Sequence, residues 1–219
     1  MFKLLGKLIK LALIIVILLG SFVGLIGYFK YKEAIEAVPL SEKVAAIRED
    51  SNYTPLEDIS TDFTDAIVAI EDHRFYEHGA VDFIALARAT FINLKEKQVL
   101  QGGSTLTQQV AKNIYFENDQ NFVRKVAELF VAYNLEKTYT KDEILELYVN
   151  VIYYGDGNYG IKKASENYFN KQPAQLSYDE ATLLAGLPQA PSAYALSTNY
   201  DRAKQRQAEV IEALTEYRQ

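Results

Sequence analysis

The sequence predicts an all-α domain tethered by one N-terminal apolar helix. Three observations carry this. Strand-type alternation is nearly absent along the chain. Capping boxes, a hydroxyl followed three residues later by a glutamate, occur at Thr140/Glu143 and Ser177/Glu180. The stretch "LALIIVILLGSFVGLIGYF", residues 11–29, carries no charge. At about 1.5 Å of rise per residue it matches a hydrocarbon core of about 30 Å.

The elements follow in order. Lys3, Lys7 and Lys10 precede the apolar stretch with no acid nearby, whereas Glu33 and Glu36 accompany Lys30 and Lys32 after it. This lysine bias predicts a cytoplasmic tail (residues 1–10), a transmembrane helix (11–29) and a main domain outside the membrane. Residues 30–52 read as a stalk, with Pro39 and Pro55 as punctuation, and 53–219 as the folded domain. Within it, helices are expected over about 62–72, 81–97, 104–115 and 121–138, then from Thr140 to about Ile152 and from Ser177 to about Gly186. A last helix begins near Asp201. "VLQGG", "FENDQ", "YYGDGNYG" and "GLPQAPSAY" are the connectors.

Composition narrows the function classes. The chain has 219 residues, half of them apolar, and no cysteine. Disulfides, thiolate metal sites and a cysteine nucleophile are excluded. Residues 1–30 hold four lysines and no acid, which leaves 19 basic against 29 acidic residues and a net charge of −10. A domain so acidic is no general nucleic-acid binder, so any phosphate must be met by local groups.

Both histidines fall in "EDHRFYEHG", residues 71–79. Glu71 leaves an apolar run, "AIVAI", at the C-terminal end of its helix. The helix dipole and burial both disfavour an anion there and raise a carboxylate pKa, which suits a general acid or base near neutral pH. A partly exposed helix-end glutamate is the plain alternative. Glu71, His73 and His78 lack zinc-ligand spacing, so no metal site is read here.

"GGSTLTQQVAKN", residues 102–113, is a Gly-rich approach to a helix N-terminus, a place that suits anions. Leu106, Val110 and Ile114 form an apolar stripe, with Thr105, Gln108, Gln109 and Lys112 opposite. Amides with a single cation suit a sugar-phosphate ligand better than an ordinary solvated face. In "NFVRKVAELFVAYNLEK", residues 121–137, Arg124 and Glu128 stand at i, i+4 on a helix apolar nearly all round, with Lys125 beside them. Charges on a buried helix are costly, so this pair is either a structural ion pair or a site. Asn150, near the end of the next helix, reads as a structural residue pinning the Gly-rich loop.

These stretches in this order resemble the peptidoglycan glycosyltransferases, the family also found as the first domain of bifunctional penicillin-binding proteins. "EDHRFYEH", "GGSTLTQQVAKN", "RKVAE" and "KDEILELYVNVIYYG" match four of its motifs, and Arg206 in "RQAEVI" fits a weaker fifth. The resemblance covers about residues 53–215. It implies a lysozyme-like helical fold with a cleft close to the membrane. It further implies polymerisation of lipid II by inverting β-1,4 transfer from an undecaprenyl-pyrophosphate-linked glycan chain. Carried over, Glu71 is the general base and Glu128 the second catalytic carboxylate. Lys112, Arg124 and Lys125 attend the donor pyrophosphate, with a divalent cation (Mg2+ or Mn2+) as a possible helper. Asp72, Phe75, His78, Ser104, Thr105, Thr107, Gln108, Gln109 and Asn113 line or support the cleft. Gly79, Gly103, Asn150, Gly155 and Arg206 are motif positions with structural roles. Partners implied are the lipid-linked substrates, the membrane and other wall-synthesis proteins.

Two departures from the family pattern stand out. The order His78-Gly79-Ala80 differs from the usual spelling, and Gln120 stands where many members carry Arg. The absence of SxxK and KTG makes the resemblance one to the monofunctional form. A lysozyme-like hydrolase or lytic transglycosylase is the rival enzyme, since paired carboxylates serve glycoside hydrolysis too. A non-catalytic wall-assembly scaffold is the other rival.

Overall fold

The computed structural model describes residues 2–96, 102–116 and 121–219. Gln120, residues 117–119 of the polar connector and positions 97–101 of the preceding loop lie outside the described residues. The fold is helical: α1 (Phe2–Ala37), α2 (Leu40–Arg48), α3 (Thr61–Glu71), α4 (Phe83–Glu96), α5 (Leu106–Tyr115), α6 (Phe122–Thr138), α7 (Lys141–Val151), α8 (Ile161–Phe169), α9 (Tyr178–Ala185) and α10 (Tyr200–Tyr217). No strand occurs among the described residues; Tyr153 and Tyr159 make an isolated antiparallel bridge. Helix α8 was not expected. It is a short helix that emerges from the Gly-rich loop and ends on Asn170 in the left-handed conformation.

α1 is long and apolar enough to cross a membrane, with mean hydropathy 2.7 in its best window. It does not end at Phe29. It continues to Ala37 and packs along α6.

The expectation of a stalk at 30–52 is corrected. Tyr31, Ala34 and Ile35 of α1 pack against the core, and Leu40 and Val44 of α2 are buried in it. Arg48 of α2 pairs with Glu143 at 3.0 Å. The spacing of these apolar residues is helical, so the segment has a face to bury, and Pro39 turns the chain rather than loosening it. Burying a Leu or Val side chain contributes about 1.5–3 kcal/mol as an upper estimate, which an extended stalk would forgo.

The centre of the domain holds α3, α5, α7 and α9 with fully buried Phe63, Ile67, Leu106, Val110, Leu147 and Leu184. α3 packs on α9 and α10, while α5 lies against α6 and α7. Both expected capping boxes are present, at Thr140/Glu143 and Ser177/Glu180. They fix the starts of α7 and α9, and so hold the frame in which α3 and α5 converge.

Candidate active site

Glu71 is the last residue of α3, and burial along Phe63, Ala66, Ile67, Val68 and Ala69 leaves that helix one exit, at its C-terminus. There Glu71 lines a cavity of about 350 Å3 together with Asp72, Arg74, Asp82, Arg88 and Arg206. Burial raises the Glu71 pKa; the Gln109 amide and the charge of Arg206 oppose the rise, and Asp72 reinforces it. Gln109 Nε2 donates to Glu71 Oε2 at 2.9 Å. Two fully buried tyrosines, Tyr148 and Tyr154, sense the Glu71 charge and are themselves held protonated by burial.

Asp72 is not a second base. Its Oδ1 meets His78 Nε2 at 2.7 Å and its Oδ2 accepts the Leu106 N–H at 2.9 Å. The end of α3 is thereby fastened to the start of α5. Burial pushes the Asp72 pKa up, against the His78 and Leu106 hydrogen bonds. The expected anion site at the N-terminus of α5 is changed by this contact. The Asp72 carboxylate already takes the Leu106 N–H, and the Thr105 hydroxyl caps the Gln108 N–H.

The turn His78-Gly79-Ala80 has a defined geometry. His78 Nδ1 bonds the Gly79 carbonyl at 2.7 Å. The Ala80 carbonyl accepts from Thr105 Oγ1 at 3.0 Å and Gln108 Nε2 at 2.8 Å. A Cβ at Gly79 would meet nothing within 4 Å, so glycine is not sterically required there.

A second cavity of about 250 Å3 adjoins the first. Ser104, Gln109, Lys112, Arg124, Lys125 and Glu128 line it, as do Gln108 and Asn113. Ser104 belongs to both cavities. Glu128 is 1 % exposed and lies 3.0 Å from Arg124 Nε and 3.1 Å from Lys125 Nζ. Lys125 Nζ also donates to Ser104 Oγ at 2.7 Å. Exposed Lys112 adds a third cation at the rim.

Several expected site residues support the cleft, all but Gly103 without lining either cavity. Phe75 is fully buried, with Lys141 Nζ 4.4 Å from its ring centroid. Thr107 is buried on the opposite side of α5, where its hydroxyl donates to Glu136 at 2.5 Å. His78 acts through Asp72. Gly103 borders the first cavity against Leu86 of α4. Gly155 adopts φ +86°, and a Cβ there would stand 2.8 Å from the Pro191 carbonyl, so it shapes a loop. Asn150 is structural, but its partner is corrected. Its Oδ1 accepts the Thr54 N–H at 2.8 Å and its Nδ2 donates to the Thr54 carbonyl at 2.9 Å, so it pins the approach to α3 rather than the Gly-rich loop.

Sequence reasoning did not single out Arg74, Asp82, Arg88, Gln189 or Glu209, which line the first cavity. Asp82 carried a signal: an acid just before an apolar helical run. It caps α4 through the Ile84 and Ala85 N–H groups and takes Arg74 in a two-pronged pair at 3.0 and 3.1 Å.

Asp72, His78 and Asp82 bring their donor atoms within 4.8 Å of one another. Each is already engaged, Asp72 and His78 with one another and Asp82 with Arg74. Around Glu128, one carboxylate faces two cations. Neither donor set fits a resident divalent cation, which takes several oxygen ligands with surplus negative charge.

The chain belongs to the Transglycosylase family, whose model matches residues 39–215. It is a peptidoglycan glycosyltransferase of cell-wall synthesis. It is 44 % identical over 179 residues to a protein named "Putative transglycosylase" from Cupriavidus necator, covering 82 % of this chain and 77 % of that one. It is 46 % identical to penicillin-binding protein 1A of Neisseria flavescens over 75 % of this chain, and 36 % identical to penicillin-binding protein 1F of Bacillus subtilis over 90 %. The chain spans 21 % and 30 % of the length of those two. The match begins at Pro39, so the family model also includes α2 in the domain.

Proposed function

We propose that the protein extends glycan strands from lipid II, with a lipid-pyrophosphate-linked chain as donor and lipid II as acceptor. The observation that carries this reading is the joined pair of cavities. One holds a carboxylate of raised pKa, and the other is lined by three cations, two of them paired with the buried Glu128. Glu71 removes the proton from the acceptor sugar 4-hydroxyl. The freed oxygen attacks donor C1 from the face opposite the leaving group, so a β-1,4 bond forms with inversion. The bond from C1 to the pyrophosphate oxygen breaks as the new one forms, and the pyrophosphate departs with the electron pair. Lys112, Arg124 and Lys125 stabilise that charge, an electrostatic task that requires no nucleophile from the protein. Glu128 holds Arg124 and Lys125 in place. No step is assigned to a divalent cation, because the cavities supply cations where such an ion would act.

The lysine bias before α1 supports a cytoplasmic N-terminus and a catalytic domain on the outer side. The same reading makes other wall-synthesis proteins natural neighbours. Full-length protein with fluorescent lipid II tests the proposal. Long glycan strands are expected, and Glu71→Gln is expected to lower their formation by about 10²–10⁴-fold. Shortening of preformed glycan without polymer would instead make the protein a hydrolase. A Glu71→Gln variant that still polymerises at the wild-type rate would remove Glu71 as the base.

A further inference from the structure

Glu136, in the last turn of α6, and Lys141, the first residue of α7, form an ion pair at 2.7 Å with side chains 14 % and 20 % exposed. Neither lines one of the two cavities. The Glu136 oxygen that takes Lys141 also accepts from the Thr107 hydroxyl of α5. On its other side, Lys141 Nζ stands 4.4 Å from the ring centroid of buried Phe75. Phe75 opens the short turn after α3, and its N–H donates to the Asp72 carbonyl at 2.8 Å. Asp142, next to Lys141, accepts from the Tyr76 hydroxyl of the same turn at 3.0 Å. The corner between α6 and α7 thus grips both α5 and the turn that follows Glu71.

On the cleft side the same two segments are joined by Gln109 with Glu71 and by the Leu106 N–H with Asp72. Thr107 lies between Leu106 and Gln109 in α5, so the contacts in front and behind act on one helical turn. Burial raises the Asp72 pKa; the His78 and Leu106 hydrogen bonds and the Lys141 charge oppose that rise, which favours the anion that takes the Leu106 N–H. Stability alone does not call for charges behind the cleft, because apolar groups of similar volume often replace such a pair without loss. Charges supply direction instead. One carboxylate oxygen takes two donors, and a cation faces the electron-rich ring.

We propose that Glu136 and Lys141 are positioning residues for the transfer reaction. They hold the turn after α3 against α5 from behind, and so fix where the Glu71 carboxylate stands relative to the second cavity. The inference rests on the reading of Glu71 as the base. Displacing a reacting group by about 1 Å costs up to about 100-fold in rate. The effect therefore belongs in kcat, and not in the KM for a substrate that neither residue touches.

Lys141→Met, Lys141→Arg, Glu136→Gln, Gln109→Met and the Lys141→Met/Gln109→Met double variant are made in the full-length protein. Polymerisation of fluorescent lipid II is followed below the Tm of every variant. Met keeps an apolar stem on Phe75 without the charge, and Gln keeps an acceptor for Thr107. Lys141→Met is expected to lower kcat by about 10–100-fold with KM within about twofold. Glu136→Gln follows in the same direction, and Lys141→Arg recovers most of the rate. The double variant loses less than the product of its single losses, because both changes release the same carboxylate. Wild-type kcat in Lys141→Met with only a lower Tm makes the pair structural and overturns the proposal. A raised KM at unchanged kcat, or losses that simply multiply, overturns it too. Should Lys141→Met not fold, Glu136→Gln decides by the same kcat and KM criteria. An inactive Glu71→Gln beside a fully active Lys141→Met removes this inference alone. A Glu71→Gln enzyme at the wild-type rate removes the base and this inference together.

Discussion

Gln109 Nε2 donates to Glu71 Oε2 at 2.9 Å, and Gln109 also lines the cavity that holds Glu128. One amide thus joins the two halves of the cleft. It occupies one oxygen of the base and leaves the other for a proton.

This contact makes a prediction about pH. Burial raises the Glu71 pKa and Gln109 counteracts it. Gln109→Met keeps the volume and removes the donor, so the Glu71 pKa rises further. The acidic limb of the kcat profile is expected to move to higher pH. The loss at neutral pH should recover in alkaline buffer. An unmoved limb would show that the bond does not tune the base.

The same residue governs stability. A carboxyl whose folded pKa lies above its unfolded value supports the fold fully below the unfolded pKa, and that support is lost as pH rises through the folded pKa. For Glu71 the raised pKa places this loss above the ordinary Glu value of 4.5. Glu71→Gln stays neutral and accepts the same Gln109 N–H. Its Tm is expected to exceed wild type in alkaline buffer and to match it in acid. A gain of about 1 kcal/mol appears as roughly 2–4 °C in a domain of this size. Equal Tm values across pH would contradict a carboxyl whose pKa is raised in the fold.

Lys112 is exposed at the rim of the second cavity, and its ammonium makes no ion pair among the described residues. Lys112→Ala is expected to leave Tm unchanged and to weaken binding of a pyrophosphate-bearing lipid by about tenfold, the worth of one charged contact. Calorimetry with undecaprenyl pyrophosphate in detergent measures it. Unchanged affinity would take Lys112 out of the donor site.

Asn150 satisfies both backbone groups of buried Thr54. Asn150→Ala strands them, at a cost of about 2–4 kcal/mol. Thermal unfolding should show this, with KM little changed because the residue lies outside both cavities. A cost below about 0.5 kcal/mol, the range of ordinary surface changes, would contradict the pinning role.

Much of the site was legible because its chemistry is local. Glu71 is marked by an apolar run that ends on an acid, and Arg124 with Glu128 by charges on an oily helix. Both capping boxes formed because hydroxyl and carboxylate stand only three positions apart. Thr107 shares a polar string with Thr105 and Gln109, but its partner was not legible there. One helical step turns it to the far side of α5, toward Glu136. Asn150 and Thr54 are 96 residues apart, a separation that no local pattern encodes.

The sequence by itself determined that this is a helical domain on an apolar anchor, and which short strings carry charge into buried helices. It did so because helix periodicity, capping and hydropathy act over a few residues. Only the tertiary structure decided that residues 30–52 pack onto the domain, burying Leu40 and Val44, rather than form a stalk. It also decided that Asp72 is spent on His78 and the start of α5, and that Gln109 joins two cavities. Those outcomes depend on which helices meet, and close packing between distant segments sets that choice.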